Sequence, residues 1–257
     1  NCDRANLFFS TLTVLDLTGE QIVDLTPLDS LLNLRILALG SNQISDLSPL
    51  KSLTNLNRLS LNLNQIKDIS PIKSLTNLTF LSLESNRISD ISFLKSLIQL
   101  NILILNKNKI SDISSLQSLT SLILLSIDNN QVSDISYLNS LTNLVGVLLN
   151  NNKIGSISSL ESLIQLNFIN LDANQISDIS PLQYLVNLRV LSLASNQISD
   201  ISPLQSLTNL TGLIVSRNQI SNISSLKSLT QLNHLNLQGN PLINKTCPVN
   251  PESICQL

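Results

Sequence analysis

Hydrophobic positions recur along this chain with a fixed spacing of 22 residues. Within each unit, apolar residues occupy positions 1, 4, 6, 11, 14, 17 and 20, and position 9 is usually asparagine. Such a period indicates a solenoid, in which each unit packs only against its neighbours. The leucine at position 1 recurs without insertion at Leu12, Leu34, Leu56, Leu78, Leu100, Leu122, Leu144, Leu166, Leu188, Leu210 and Leu232.

Each unit begins with a short alternating segment and continues into a turn. In the second unit, Leu37 and Leu39 are predicted to point inward from a short parallel strand, whereas positions 3, 5 and 7 point outward. The following residues, 44–53, predict a short 3₁₀ or irregular turn. Ser48, directly before Pro49, is the predicted N-cap of that turn.

The pattern L-x-x-L-x-L-x-x-N-x-L within these units resembles that of leucine-rich repeats. The predicted fold class is therefore an α/β repeat, a right-handed, horseshoe-shaped leucine-rich-repeat solenoid. Its parallel β-sheet is expected on the concave face and its short 3₁₀ or irregular turns on the convex face. We predict an N-terminal cap at residues 1–11, eleven repeats at residues 12–240 and a C-terminal cap at residues 241–257.

Two polar columns run through the repeats. The asparagines at position 9 follow the strand, where an amide can satisfy both donors and acceptors of the buried backbone, so we interpret them as structural. The aspartates at position 13 would stack like charges one repeat apart, which is unfavourable unless backbone N–H groups bind each carboxylate. We predict this local capping role, with a metal-binding column as the alternative. The aspartates are Asp24, Asp46, Asp68, Asp90, Asp112, Asp134, Asp178 and Asp200.

Composition argues against several classes of function. Charged residues make up 12% of the chain and the net charge is -2, so no basic field favours nucleic acid. The longest apolar runs, such as residues 145–149, are far shorter than the ~20 residues that span a bilayer. The chain has one histidine, His234, and no Gly-rich phosphate-binding loop. We therefore predict no enzyme activity, no cofactor and no metal.

Three cysteines bear on the cellular compartment. Cys247 and Cys255 close a small loop rich in Pro and Asn, and we predict a disulfide between them, with two reduced cap cysteines as the alternative. Ten strand spacings of ~4.8 Å would leave Cys2 too distant to pair with either. A disulfide indicates an oxidising compartment, so an extracellular, cell-surface or periplasmic location is expected.

The outward strand positions vary between repeats, whereas the positions that build the fold barely change. Position 3 is strongly apolar for a surface that faces water, and position 7 is polar and mildly acidic, as in the core and rim of a protein interface. Two alternatives stay open: such residues simply suit strands, or a cation binds between Asp128 and Asn150. The predicted partner-binding residues are Arg58, Phe80, Glu84, Ile102, Ile104, Leu124, Asp128, Leu148, Phe168, Asp172 and Val190.

Units of the form LTNLxxLxLxxNQISDISPLxSL closely resemble the 22-residue class of leucine-rich repeats found in bacterial internalins and in a eukaryotic phosphatase-regulatory family. This resemblance implies that the concave sheet holds a partner protein. Internalins carry a helical N-terminal cap and continue into an immunoglobulin-like domain, whereas a brief N-terminal cap and a cysteine-containing C-terminal cap are expected here, so host-receptor binding is not implied. The tail, with Cys247, Pro248, Pro251 and Cys255, resembles the caps of secreted bacterial repeat proteins.

These observations favour a monomeric, non-catalytic module that binds a protein partner. Two other functions remain open at this stage. The first is a structural cell-surface protein that self-associates. The second is an intracellular regulatory subunit of an enzyme, which requires Cys247 and Cys255 to be reduced.

Overall fold

The computed structural model describes residues 11–257, and these fall into two compact units, residues 11–122 and Ile123–Leu257. The predicted N-terminal cap, except for Thr11, and Cys2 lie outside the described residues. The division into two caps and eleven repeats stays a prediction. Each unit is built from short parallel strands that alternate with 3₁₀ turns, so the units are described separately.

The first unit contains five three-residue strands that pair in parallel, each with the next along the chain. They are β1 (Val14–Asp16), β2 (Ile36–Ala38), β3 (Arg58–Ser60), β4 (Phe80–Ser82) and β5 (Ile102–Ile104). Each strand residue pairs with the residue 22 positions later in the chain, so equivalent positions of neighbouring repeats lie side by side. The 3₁₀ turns are Thr26–Leu28, Ser48–Ser52, Ser70–Ser74, Ser92–Ser96 and Ser114–Ser118.

The second unit continues the same arrangement. Its strands are β6 (Leu124–Ser126), β7 (Gly146–Leu148), β8 (Phe168–Asn170), β9 (Val190–Ser192), β10 (Gly212–Ile214), β11 (His234–Asn236) and β12 (Cys255–Gln256). Its 3₁₀ turns are Ser136–Ser140, Ser158–Ser162, Ser180–Tyr184, Ser202–Ser206, Ser224–Ser228 and Glu252–Ile254. All pairings within this unit are parallel.

The core consists of the repeated apolar positions, as predicted. Leu37 and Leu39 are 1% and 0% exposed, which confirms their inward orientation. The corresponding leucines and isoleucines of the following repeats are buried in the same way. Because every repeat presents the same side chains to its neighbours, one buried residue packs against nearly identical residues on both sides. The predicted combination of parallel strands with 3₁₀ turns is thus confirmed.

The asparagine column ties neighbouring repeats together. Asn174 Nδ2 donates to the carbonyl oxygens of Leu149 at 3.0 Å, Leu171 at 3.0 Å and Asp172 at 3.1 Å. Its Oδ1 accepts the N–H of Ile154 at 3.0 Å. One buried amide therefore satisfies backbone groups of two repeats, which confirms the predicted structural role. Asn42, Asn64, Asn86, Asn108, Asn152, Asn196, Asn218 and Asn240 bond in the same pattern.

The aspartate column has the predicted capping role, but the predicted N-cap is wrong. Asp46 Oδ1 accepts the N–H of Ser48 at 2.8 Å, and the bonds from Ser48, through its side chain and its backbone, lower the pKa of Asp46. The 3₁₀ turn is preceded by Leu47, with no side-chain cap, and Ser48 is its first residue. Sequence reasoning placed the cap on the hydroxyl, whereas the carboxylate two residues earlier takes the first free amide.

Position 8 has a left-handed backbone in every repeat. Glycine supplies it at Gly19 and Gly239, with φ of 80° and 75°. Other residue types adopt φ between 50° and 57° at Ser41, Leu63, Ser85, Lys107, Asn129, Asn151, Ala173, Ser195 and Arg217. Non-glycine residues reach this region at a steric cost of about 1 kcal/mol each. The adjoining hydrogen bonds of the asparagine column hold the turn in this conformation.

The C-terminal segment closes the second unit at β11. Cys247 and Cys255 form a disulfide with a Cα–Cα distance of 5.9 Å, as predicted. The disulfide tethers β12, which pairs with β11, and the N–H of Leu237 donates to the carbonyl of Gln256 at 2.7 Å. Val249 from the same segment is buried. The cap therefore covers an edge that would otherwise expose unpaired backbone groups.

Candidate functional site

The candidate site is the outward surface of the strands, which we call the strand face of each unit. It consists of the side chains at repeat positions 3, 5 and 7, none of which is needed to fill the core. The predicted partner-binding residues divide between the two units. Arg58, Phe80, Glu84, Ile102 and Ile104 lie in the first unit, and Leu124, Asp128, Leu148, Phe168, Asp172 and Val190 lie in the second.

On the strand face of the first unit, Arg58 and Phe80 occupy paired positions of β3 and β4. The guanidinium carbon of Arg58 lies 4.4 Å from the centroid of the Phe80 ring, a cation–π geometry. Ile102 pairs with Phe80 on the other side, and Ile104 lies two residues further along β5. All three apolar side chains are half-buried, so each presents part of its surface to solvent.

A charged pair borders this apolar surface. The Lys107 ammonium lies 3.4 Å from a carboxylate oxygen of Glu84, and the two side chains are 61% and 35% exposed. An ion pair this exposed contributes at most about 1 kcal/mol to stability. It places opposite charges beside apolar side chains, as in the polar rim of an interface.

On the strand face of the second unit, the ring of Phe168 lies directly over Gly146 on the neighbouring strand. A Cβ atom at residue 146 would be 1.8 Å from Phe168 Cζ, so only glycine leaves room for the ring. Phe168 therefore lies flat against the β7 backbone, where it remains half-buried. Leu124 and Leu148, on β6 and β7, are half-buried too, and Val190 on β9 is 45% exposed.

The two acidic residues predicted on this face are bonded within the fold. Asp128 Oδ1 accepts the N–H of Asn150 at 2.8 Å. Asp172 Oδ1 accepts the N–H of Ala194 at 2.7 Å and the hydroxyl of Ser192 at 2.6 Å. These carboxylates fasten the next repeat through charge-assisted hydrogen bonds, a structural role that the sequence pattern did not indicate.

The geometry also bears on the cation that Asp128 and Asn150 were considered to bind. One oxygen of the Asp128 carboxylate, Oδ1, accepts the main-chain N–H of Asn150. Across residues 11–257, no group of three or more His, Cys, Asp and Glu side chains is placed to hold a metal ion.

A polar cleft of about 410 Å³ adjoins the strand face of the second unit, at the end where its strands begin. Amide side chains and one cation, Arg189, line most of it. Arg189 is exposed and has no carboxylate within ion-pair distance among the described residues. The cleft is lined by Val145, Gln165, Asn167, Asn187, Arg189 and Asn209.

One more feature of this surface was not predicted from the sequence. The fit between Gly146 and Phe168 joins residues on adjacent strands, and its signal was the glycine in a column of large residues. Gly212 stands in the same column, and its environment differs from that of Gly146, as described below. A glycine inside a strand often marks close approach of another group.

The repeats match known proteins. A family model described as leucine-rich repeats in two copies matches residues 54–96 and 186–218. The crystal structure of internalin InlF from Listeria monocytogenes is 34% identical with a TM-score of 0.81, and the match covers 92% of this chain and 83% of that one. The chain belongs to the internalin-like family of leucine-rich-repeat proteins. Internalin C2 from the same organism is 40% identical, with a TM-score of 0.72 and coverage of 72% and 82%.

More distant structures share the fold of this internalin-like protein. The ectodomain of the Arabidopsis thaliana receptor kinase GASSHO1/SCHENGEN3, solved in complex with CASPARIAN STRIP INTEGRITY FACTOR 2, is 24% identical with a TM-score of 0.76. That match covers 90% of this chain and 33% of the receptor. A search of the curated proteins gave no significant match. Within the described residues, no helix has the length and hydropathy needed to cross a membrane.

Proposed function

We propose that this internalin-like protein is a non-catalytic module that binds a protein partner through its strand face, the surface predicted to be concave. The observation that carries the proposal is the partly exposed apolar surface at outward strand positions, beside charged and amide groups. The core needs none of these side chains, and their identity changes from repeat to repeat. Variable residues on an invariant scaffold are where binding specificity is expected.

The chemistry of the two faces supports this assignment. In the first unit Arg58 stacks on Phe80, and in the second Phe168 lies on a glycine. Both aromatic rings are held in place before a partner arrives, which lowers the entropic cost of binding. Aromatic and arginine side chains are also the residue types that contribute most to the affinity of protein interfaces.

Relatives with this fold form complexes with proteins or peptides. The receptor kinase GASSHO1/SCHENGEN3 was solved with CASPARIAN STRIP INTEGRITY FACTOR 2, and the plant peptide hormone receptor RGFR1 was solved with RGF2. We infer a partner of the same broad class, a protein or peptide, for the present chain. The Cys247–Cys255 disulfide supports an extracellular, cell-surface or periplasmic location for that encounter.

The test is capture of partners on the immobilised protein, with apolar side chains changed to serine either on the strand faces or away from them. Phe80→Ser and Phe168→Ser remove the aromatic side chains from the strand faces. Ile98→Ser and Ile164→Ser remove side chains that are 51% and 53% exposed at position 21, away from the strands. We expect the phenylalanine variants to lose the captured partner and the isoleucine variants to keep it. Equal retention by all four folded variants would contradict the proposal.

Self-association is distinguished by a separate measurement. If the strand face instead mediated assembly of a surface layer, the light-scattering mass of the purified protein would rise with concentration, and Phe168→Ser would suppress the rise. A constant monomeric mass, together with partner capture, is the expected result.

A further inference from the structure

Two glycines at outward position 3 have opposite surroundings. At Gly146, a Cβ atom would meet the Phe168 ring at 1.8 Å, so the chain itself fills the space above the backbone. At Gly212, the nearest atoms to such a Cβ are the Val190 methyl carbons, both at 3.8 Å, an ordinary van der Waals contact. Gly146 is accordingly buried, whereas Gly212 is partly exposed.

The fold does not require glycine at residue 212. Its φ lies outside the left-handed region, and a Cβ atom there would meet only ordinary van der Waals contacts. Equivalent positions on β6 and β9 carry Leu124 and Val190. Glycine inside a strand lowers stability, because it has more conformational freedom to lose and no side chain to pack. The residue therefore leaves space above the strand at a cost to the fold.

The space above Gly212 is a notch between apolar and aromatic side chains, which we call the Gly212 notch. Val190 and His234 occupy the paired positions on the two neighbouring strands. Ile214, two residues along β10, points to the same face and is half-buried. Strand register therefore places Val190, Ile214 and His234 around the notch, with the backbone of Gly212 beneath it.

Positive charge flanks the notch. Arg189 precedes β9, and Arg217 follows β10 at the other end of the strands. Both side chains are exposed, and neither guanidinium has a carboxylate partner among residues 11–257. The carboxylate of Asp172, the acidic residue of this face in the repeat before Arg189, already accepts two hydrogen bonds. Arg189 also lines the polar cleft, where the amide of Asn167 adds a further donor.

We propose that the Gly212 notch receives an apolar or aromatic side chain of a partner protein, and that a carboxylate next to it in the partner segment pairs with Arg189. This inference rests on the proposed function, because it identifies the part of the strand face that a partner approaches most closely. Apolar contact above the glycine supplies burial, and the guanidinium fork fixes the orientation of the segment through charge-assisted bonds.

The test uses a library of random linear peptides displayed on phage as the probe. Peptides are selected on the native protein in the presence of excess soluble Gly212→Leu protein, in which the leucine side chain would occupy the notch. Selected sequences are synthesised, and their affinities are measured for the native protein and for Gly212→Leu, Arg189→Gln, Phe168→Ser and Ile164→Ser. Urea unfolding of Gly212→Leu checks that its midpoint is not lowered.

We expect the selected peptides to combine a large apolar residue with Asp or Glu. Gly212→Leu should lower the affinity for these peptides at least about tenfold, as expected when an anchor side chain loses its pocket. Arg189→Gln should lower the affinity for acidic peptides about tenfold. The affinity for the same peptides with Asp or Glu replaced by Asn or Gln should not change. Ile164→Ser should have no effect.

The remaining outcomes separate the two proposals. Peptides that depend on Phe168 but bind Gly212→Leu normally would overturn the notch and leave the strand face as the binding surface. Peptides that depend on neither residue would overturn both. Failure to enrich any peptide against the Gly212→Leu competitor counts against the notch.

Discussion

The ring of Phe168 occupies the place that a side chain on Gly146 would fill. The two residues are directly paired on β7 and β8, and the ring atom Cζ lies 1.8 Å from the position of the missing Cβ. The strand face of the second unit is therefore packed against its own backbone at this point. Phe168 has a fixed orientation, and Gly146 is needed for its neighbour's side chain rather than for an unusual backbone angle.

Opposite effects are predicted for alanine at the two glycines of this column. Gly146→Ala should lower the free energy of unfolding by about 1–3 kcal/mol, because the Phe168 ring must leave its position. Gly212→Ala should leave it unchanged or raise it by up to about 1 kcal/mol, because the unfolded chain loses conformational freedom. Urea unfolding monitored by circular dichroism measures both. Similar losses for the two variants would show that the fit over Gly146 does not matter.

The effect of Gly146→Ala should depend on its partner. In a Phe168→Ala background the added methyl group meets no ring, so the same substitution should be close to neutral. The difference between the two backgrounds measures the coupling between residues 146 and 168. A coupling near zero would mean that the ring does not rest on the glycine in solution.

The asparagine column predicts a large penalty for a small change. Asn174→Ala leaves the buried N–H of Ile154 and the carbonyl of Leu149 without this partner, and should lower the free energy of unfolding by about 2–4 kcal/mol. Asn187→Ala is the matched control, because exposed Asn187 makes one bond, to the carbonyl of Ile164 at 2.9 Å. Its loss should not exceed about 1 kcal/mol. Equal penalties in urea unfolding would contradict the assigned role.

Acid should weaken the fold through the aspartate column. Hydrogen bonds from the backbone and side chain of Ser180 lower the pKa of Asp178, and equivalent bonds lower the pKa of Asp90 and Asp134. A group whose pKa is lower in the folded state stabilises the fold above its unfolded value of ~3.9. This stabilisation is lost as pH falls through the folded pKa, because the unfolded chain takes up the proton first.

Asparagine at these positions should reduce this acid sensitivity. Asn222 occupies the same position naturally, and its Oδ1 accepts the N–H of Ser224 at 3.0 Å without titrating. A protein with Asp90, Asp134 and Asp178 all changed to Asn should therefore lose less stability than the native protein between about pH 5 and about pH 2.5, the range over which carboxylates titrate. Urea midpoints across this range give the comparison. Parallel pH profiles for the native and triple-variant proteins would rule out the column as a source of acid sensitivity.

Reduction of the Cys247–Cys255 disulfide should release β12 from β11. The bond closes a short loop, so its loss should destabilise the cap by about 2–3 kcal/mol. The amide of Leu237, which donates to Gln256, should then exchange with solvent at least about tenfold faster. The amide of Val215, bonded to Asn236 on the inner side of β11, is the internal control. Unchanged exchange at Leu237 in the Cys247→Ser, Cys255→Ser protein would mean that the disulfide does not hold the edge.

Much of the fold could be predicted because one unit repeats without interruption. Burial of Leu37 and Leu39 follows from alternation along the strand, and the bonds of Asn174 follow from the need to satisfy backbone groups at a turn. A repeat also makes each residue's neighbours predictable, because residues 22 apart lie side by side. The disulfide between Cys247 and Cys255 could be predicted because the two cysteines are close in sequence.

The details of the candidate site depend on contacts between side chains that differ from repeat to repeat. The inward bonds of Asp172 could not be predicted, since an acidic residue at an outward position has the same sequence signal whether it meets solvent or the next repeat. The N-cap prediction for Ser48 was wrong because Ser48 is the first residue of the turn, and its own N–H donates to Asp46 Oδ1. Gly146 and Gly212 look alike in sequence, and only the position of the Phe168 ring distinguishes them.

The most direct test of the strand face is the affinity of one captured partner for Phe168→Ser and for Ile164→Ser, each relative to the native protein. Both variants remove an apolar side chain from the second unit, but only Phe168 lies on the strand face. We predict that Phe168→Ser raises the Kd by at least about tenfold, as for a buried aromatic anchor, while Ile164→Ser changes it less than about twofold. An unchanged Kd for folded Phe168→Ser, or an equal loss for both variants, would contradict the proposed function.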